Sequence, residues 1–184
     1  MIKWLPRILF IIVLILGFQI VYDWMKGRPD DPVEEGWILY TAPEDLFEVQ
    51  FPHEPRVTKD SFALLDEDEM KFHVYVAFDK GERGYIVRVV HYGDSPNVGR
   101  PDFLYQVAYQ ILNVEREALL RDIVETPIQG YPGITFTVRE GELVQAHRAV
   151  QRGKTVYLIT HADVLSRYEP LRFDRFVETF TLLD

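Results

Sequence analysis

The chain contains no cysteine, which excludes disulfides, thiolate zinc sites, thiol nucleophiles and a lipid anchor attached through a cysteine. Serine is scarce: Ser61, Ser95 and Ser166 are the only three, and none stands in a G-x-S-x-G elbow. Glycine-rich phosphate loops are missing too, because neither Gly81/Gly84 nor Gly130/Gly133 opens a helix after a strand. Positive charge is in deficit, 20 Lys and Arg against 29 Asp and Glu for a formal net charge of -9. The basic residues are scattered among acidic ones, so no face suits a phosphate backbone and no nucleic-acid partner is expected. Internal repeats and low-complexity tracts are absent as well, which leaves one domain as the economical organisation.

Hydrophobic length is concentrated at the start. From Ile8 to Tyr22 the sequence carries no charge and one strongly polar residue, Gln19. Extended to Leu5–Trp24, the run would span about 30 Å as a helix, the thickness of a bilayer's hydrocarbon core. Trp4 and Trp24 fall where amphipathic rings prefer the membrane interface, and Lys3 and Arg7 precede the run while mixed charges follow it. This pattern predicts an uncleaved transmembrane signal anchor over 1–25, inserted in the lipid bilayer through residues 5–24, with a cytoplasmic N-terminus and the remainder exported to the periplasmic or extracytoplasmic side of the plasma membrane. A cleaved signal peptide shares these features but needs small residues at its cleavage site, and GFQIVYDWMKG offers no A-x-A.

Residues 26–36, KGRPDDPVEEG, combine two prolines, two glycines and a charge cluster, and read as a linker. The exported domain should therefore occupy 37–184. Short strands are expected at Trp37–Thr41 and Leu46–Phe51, a hairpin at Arg56–Leu65 and Met70–Phe78, and a more central strand at Tyr85–Tyr92, which has Val and Ile on both faces. A helix is expected from Phe103 to about Asp122, where Phe103, Val107, Ile111, Val114 and Ala118 recur at three- and four-residue spacing. Strands follow at Ile123–Gln129, Ile134–Arg139, Leu143–Gln151 and Lys154–His161. A closing helix at Glu169–Phe180 carries Leu171, Phe173, Phe176, Val177 and Phe180. Strands in hairpin order, interrupted by one helix and closed by another, indicate an α+β antiparallel sheet flanked by helices.

Histidine is the sharper ligand chemistry to test: His53, His73, His91, His147 and His161, without H-E-x-x-H or H-x-H spacing. If DKGERG closes its hairpin by pairing Phe78 with Tyr85, His91 lies opposite Phe72 and His73 opposite Val90, so the two rings diverge to opposite faces. A turn at Arg152-Gly153 would place His161 beside Val144 and His147 beside Leu158, again diverging. His53, between Pro52 and Pro55, reads as a loop residue. The run Asp66-Glu67-Asp68-Glu69 supplies hard oxygens but lacks the glycine and terminal glutamate of a calcium loop, and reads as a solvated hairpin tip. In QGYPGITF, Gly130 and Gly133 supply backbone freedom, Pro132 presets a turn, and Tyr131 packs on the domain. No catalytic, cofactor or metal residue is expected on these grounds.

The pieces W-x-x-Y (Trp37, Tyr40), F-x-V-x-F-P-x-x-P (Phe47 to Pro55), a mid-chain helix, G-Y-P-G before a strand, V-Y-L-I (Val156 to Ile159) and R-F-V-E-T-F-T-L (Arg175 to Leu182) together resemble uncharacterised bacterial exported domains similar to the PsbP fold. The resemblance covers nearly all of 37–184 and implies an α/β/α sandwich with the long helix on one side of the sheet and the terminal helix on the other. PsbP proteins are extrinsic subunits of a photosynthetic membrane complex, and related folds bind protein partners. The expected function is accordingly a membrane-anchored, non-enzymatic interaction or assembly module of an envelope complex, with a protein partner. The competing expectation is a ligand-binding or enzymatic domain whose site assembles from sequence-distant residues such as Glu115, His91 or Tyr131.

Overall fold

A computed structural model describes residues 36–63, 69–79, 83–93, 98–112 and 123–184. The expected anchor and most of the linker, the second half of the mid-chain helix with Glu115, Ser95, and the acidic tip at 66–68 lie outside these residues. Among the described residues no helix is long and apolar enough to cross a membrane.

The elements run β1 (Ile38–Ala42), β2 (Phe47–Phe51), β3 (Arg56–Ala63), β4 (Glu69–Asp79), β5 (Arg83–His91), α1 (Phe103–Leu112), β6 (Val124–Glu125), β7 (Gly133–Glu140), β8 (Leu143–Arg152), β9 (Thr155–Val164), α2 (Pro170–Glu178) and β10 (Thr181–Leu182). Seven strands form one sheet in the order β3-β4-β5-β9-β8-β7-β6, and β1, β2 and β10 form a second. Every strand pair is antiparallel. The expected α+β class holds, and β5 lies inside the sheet, with Gly84 to Val87 buried. The predicted strand Ile123–Gln129 is reduced to two paired residues, because the chain leaves the ladder for a tight turn at Ile128–Tyr131.

Side-chain alternation sorts the large sheet into two packed faces. On one face Tyr75, Tyr85, Val87, Tyr157 and Ile159 meet β2 and the apolar side of α2. On the other, Ile134, Phe136, Ala149, Val156 and Leu158 meet Phe103, Leu104, Val107 and Ala108 of α1. The two helices thus cover opposite faces, and the small sheet shares the α2 layer. Phe47, Val49 and Phe51 of β2 are all fully buried, as their alternation predicts. Pro52 then follows the strand and Pro55 precedes β3. Trp37 packs edge-on against Tyr85 at 5.0 Å and lies 6.1 Å from Phe176, so the first aromatic after the linker is part of the core layer.

In α2 the seam is Phe173, Phe176 and Val177, continued by Phe180. Leu171, expected on that seam, is 80% exposed. Two residues are about 200° of helical rotation, so Leu171 points away from Phe173. Thr179 ends this helix and ties it to the small sheet: its Oγ1 donates to the Phe176 carbonyl (2.9 Å) and accepts from the Gln50 amide (3.0 Å).

Candidate functional site

The connection between β1 and β2 is a turn closed by the Asp45 amide donating to the Ala42 carbonyl (3.1 Å). Leu46, next in the chain, has φ 53, a left-handed conformation that costs an L-residue about 1 kcal/mol or more. That reversal sends Phe47 into the core and turns the Asp45 side chain inward, where it is 2% exposed. A buried carboxylate must be hydrogen-bonded. Tyr75 Oη donates to Asp45 Oδ2, His73 donates through Nδ1 to Oδ2 at 2.7 Å, and His91 donates through Nε2 to Oδ1 at 3.2 Å. Tyr157 Oη donates to the Asp45 main-chain carbonyl at 2.9 Å, so the backbone beneath the carboxylate is held as well. Burial pushes the Asp45 carboxyl upward, but the hydrogen bonds from His91, Tyr75 and His73 outweigh it and hold the group at about 2. Burial and the hydrogen bond to Asp45 raise the Tyr75 hydroxyl.

His73 and His91 do not diverge. The hairpin pairs Phe78 with Gly84, not with Tyr85, so that His73 faces Val89 and Lys71 faces His91. Strand pairing continues to Asp79 and Arg83, which shortens the loop relative to DKGERG and shifts the register by one. A one-residue shift reverses the face of every side chain on one strand relative to the other. The two rings become diagonal neighbours on the face that receives Asp45, with centroids 5.8 Å apart. Thr155, opposite His91 on β9, places its Oγ1 3.0 Å from His91 Nδ1.

The other histidines stay apart. The β8-β9 hairpin turns at Gly153-Lys154 and pairs Arg152 with Thr155, a displacement of two residues from the expected register that preserves the faces. His147 therefore lies under α1, stacked 4.8 Å from Phe136, while His161 lies on the other face, 4.9 Å from Tyr85. His53 donates through Nε2 to the Phe78 carbonyl at 2.8 Å and fastens the β2-β3 connection to the end of β4. Tyr131 is half-buried against the core with Arg152 over its ring. Gln129 and Gly130 supply the positive φ values of its turn, whereas Gly133 is needed for close approach: a Cβ there would lie 2.4 Å from the Thr126 carbonyl oxygen. Ser166 is exposed.

What the cluster can do follows from its composition. A carboxylate and two imidazoles facing one another can share protons or hold a cation. Thr155, His91 and Asp45 also line up as hydroxyl, imidazole and carboxylate, but Thr155 lies in the strand ladder rather than on an exposed turn flanked by free N–H groups, so it lacks the setting of an acyl-transfer nucleophile. Asp45, Tyr75 and Thr155 carried no sequence signal: aspartate in APED reads as a turn residue, and the other two occupy ordinary strand positions. A cavity of about 380 Å³ lies elsewhere, bounded by Arg100, Pro101, Leu104, Tyr131 and Gln151, and among the described residues its lining holds no histidine or carboxylate.

No protein-family model and no curated protein matches this chain. Among solved structures, a protein of unknown function from Pseudomonas aeruginosa, PA94, is 18% identical over 75% of this chain and 92% of its own, with a TM-score of 0.34, too low to support an argument. The solution structure of cyanobacterial PsbP (CyanoP) from Synechocystis sp. is 13% identical and aligns over 85% of this chain and 98% of its own, with a TM-score of 0.56. At that identity the likeness is one of architecture, and the fold of this protein is PsbP-like.

Proposed function

We propose that this protein is a single-pass, membrane-anchored extracytoplasmic module, without catalytic activity of its own, that docks a protein partner within an envelope complex. The observation that carries the reading is the order of features at the start of the chain: a basic N-terminus, an uncharged run from Ile8 to Tyr22 and a charged Pro/Gly linker, set directly before a folded PsbP-like domain. Support also comes from β1, which lies at the edge of its sheet and presents Ile38 at 39% and Leu39 at 60% exposure immediately after the linker. An edge strand with apolar side chains is a surface on which a partner can add. A photo-crosslinking residue at Leu39 of the full chain in native membranes should capture one specific protein. Capture of only nonspecific neighbours, or a mature N-terminus near residue 25, would overturn the anchored-module reading. A second reading, a ligand-binding or enzymatic domain with a site assembled from sequence-distant residues, rests on the Asp45–His73–His91 cluster alone.

A further inference from the structure

We infer that Asp45, His73 and His91 form a binding site for one divalent first-row transition ion of the Zn2+ class. This deepens the second reading and rests on the same cluster, but requires neither turnover nor a protein partner.

Three ligand atoms, one from each residue, lie within 4.8 Å of one another. Both imidazoles approach the same carboxylate oxygen: His73 Nδ1 lies 2.9 Å and His91 Nε2 3.2 Å from Asp45 Oδ1. A tetrahedral ion with bonds of about 2.0–2.1 Å spaces its ligand atoms at about 3.3–3.4 Å. The cluster therefore reaches coordination geometry by small side-chain adjustments, with the ion replacing the protons that now lie between the imidazoles and the carboxylate. Two imidazole nitrogens with one carboxylate oxygen suit Zn2+, Cu2+, Ni2+ or Fe2+, whereas Mg2+ and Ca2+ prefer all-oxygen shells.

Two of the three ligands, His91 and Asp45, are also oriented from behind, as metal ligands usually are. Thr155 Oγ1 stands at His91 Nδ1, and a hydroxyl can donate to that nitrogen in the free state or accept its N–H when Nε2 binds the ion. Tyr75 Oη occupies Asp45 Oδ2, Tyr157 Oη fixes the Asp45 main chain, and the left-handed Leu46 locks the turn. Burial is graded across the site: the Asp45 side chain is 1% exposed, His73 17% and His91 32%. An ion can enter from the histidine side, and three protein ligands leave a coordination position facing solvent. The sheet register places both imidazoles on the face that receives the β1-β2 turn, so the donor set exists only in the folded domain.

The test is calorimetric titration of Zn2+ alone into the chelator-stripped full chain in detergent micelles, prepared without a histidine tag. One equivalent should bind with micromolar or tighter affinity. His91→Ala should weaken it at least 100-fold, Thr155→Val about 10-fold, consistent with loss of an orienting partner, and His53→Ala not at all. Nitrogen-15 spectra of the wild-type imidazoles should show His73 and His91 shifting with the first equivalent while His147 and His161 stay fixed, a readout that no variant's folding can confound. Absence of saturable binding tighter than about 100 µM, or one-equivalent binding that leaves the His73 and His91 signals unmoved, would overturn the site. Partner capture at Leu39 is scored separately, so failure of the ion site and failure of the docking reading are distinguishable.

Discussion

Acidification from pH 7.5 to 5.5 is expected to remove about 3 kcal/mol of folding stability, because two histidines are buried in their neutral form. His147 is 1% exposed, shares a hydrogen bond of 2.9 Å with Thr160 Oγ1, and is held at about 3 by burial and by the charge of Arg88. His161 is fully buried, has no hydrogen-bond partner for either ring nitrogen among the described residues, and is held at about 4 by burial and then by Arg172 and Arg83. Both values lie below the unfolded value of about 6.5, so between them the unfolded chain binds more protons than the folded one. The neutral-form stability is therefore complete above pH 6.5 and is lost progressively as pH falls toward the folded values. At pH 5.5, one unit below the unfolded pKa, each histidine contributes a loss of between about 1 and 2 kcal/mol, or about 3 kcal/mol together. The limiting slope is about 3 kcal/mol per pH unit. For a domain of about 150 residues this corresponds to a fall in Tm of about 9 °C. Urea unfolding followed by near-ultraviolet circular dichroism at pH 7.5, 6.5 and 5.5 measures it, with His147→Gln and His161→Phe each expected to remove half of the slope. His161→Phe leaves no nitrogen unpartnered among the surrounding rings and should also raise stability at pH 7.5. A wild-type stability that is flat over this interval, or a double variant that keeps the full slope, would refute the assignment of neutral buried imidazoles.

Two further substitutions probe packing, one beneath the site and one at the β6-β7 end of the large sheet. Phe47→Ala removes a fully buried ring 5.0 Å from Tyr75 and 5.5 Å from Phe180, and should cost about 3–5 kcal/mol in denaturant unfolding. Gly133→Ala would drive a methyl group to 2.4 Å from the Thr126 carbonyl oxygen and 3.1 Å from that of Ala149. Since both obstacles are backbone, β6 or β8 must move, and a loss of about 2 kcal/mol or more is expected; an unchanged melting temperature would show that β6 is displaced without consequence.

How far the sequence could be read depended on whether a property was local or relational. Alternation at Phe47, Val49 and Phe51 marks β2 because each residue's burial follows from the period of two, and Phe173, Phe176, Val177 and Phe180 mark α2 by the same argument at 3.6. Leu171 is apolar but lies about 200° from Phe173, so its hydrophobicity alone does not place it on that seam. A register off by two still predicts the faces of the β8-β9 histidines, because an even displacement keeps side-chain parity. A register off by one puts the β4-β5 histidines on opposite faces, and that single step conceals the His73–His91 pair.

By itself the sequence determined the antiparallel α+β class, the order of most strands and helices and the buried side of β2, since these follow from periodicity and from turn residues acting within a few positions. Only the tertiary structure decided that Asp45 enters the core. Its direction depends on the left-handed Leu46, on hydroxyls from Tyr75 and Tyr157, and on a strand register that brings His73 and His91 to the same face. A carboxylate is stable in such a place only when groups far away in sequence supply its hydrogen bonds, and no local pattern records where those groups will be.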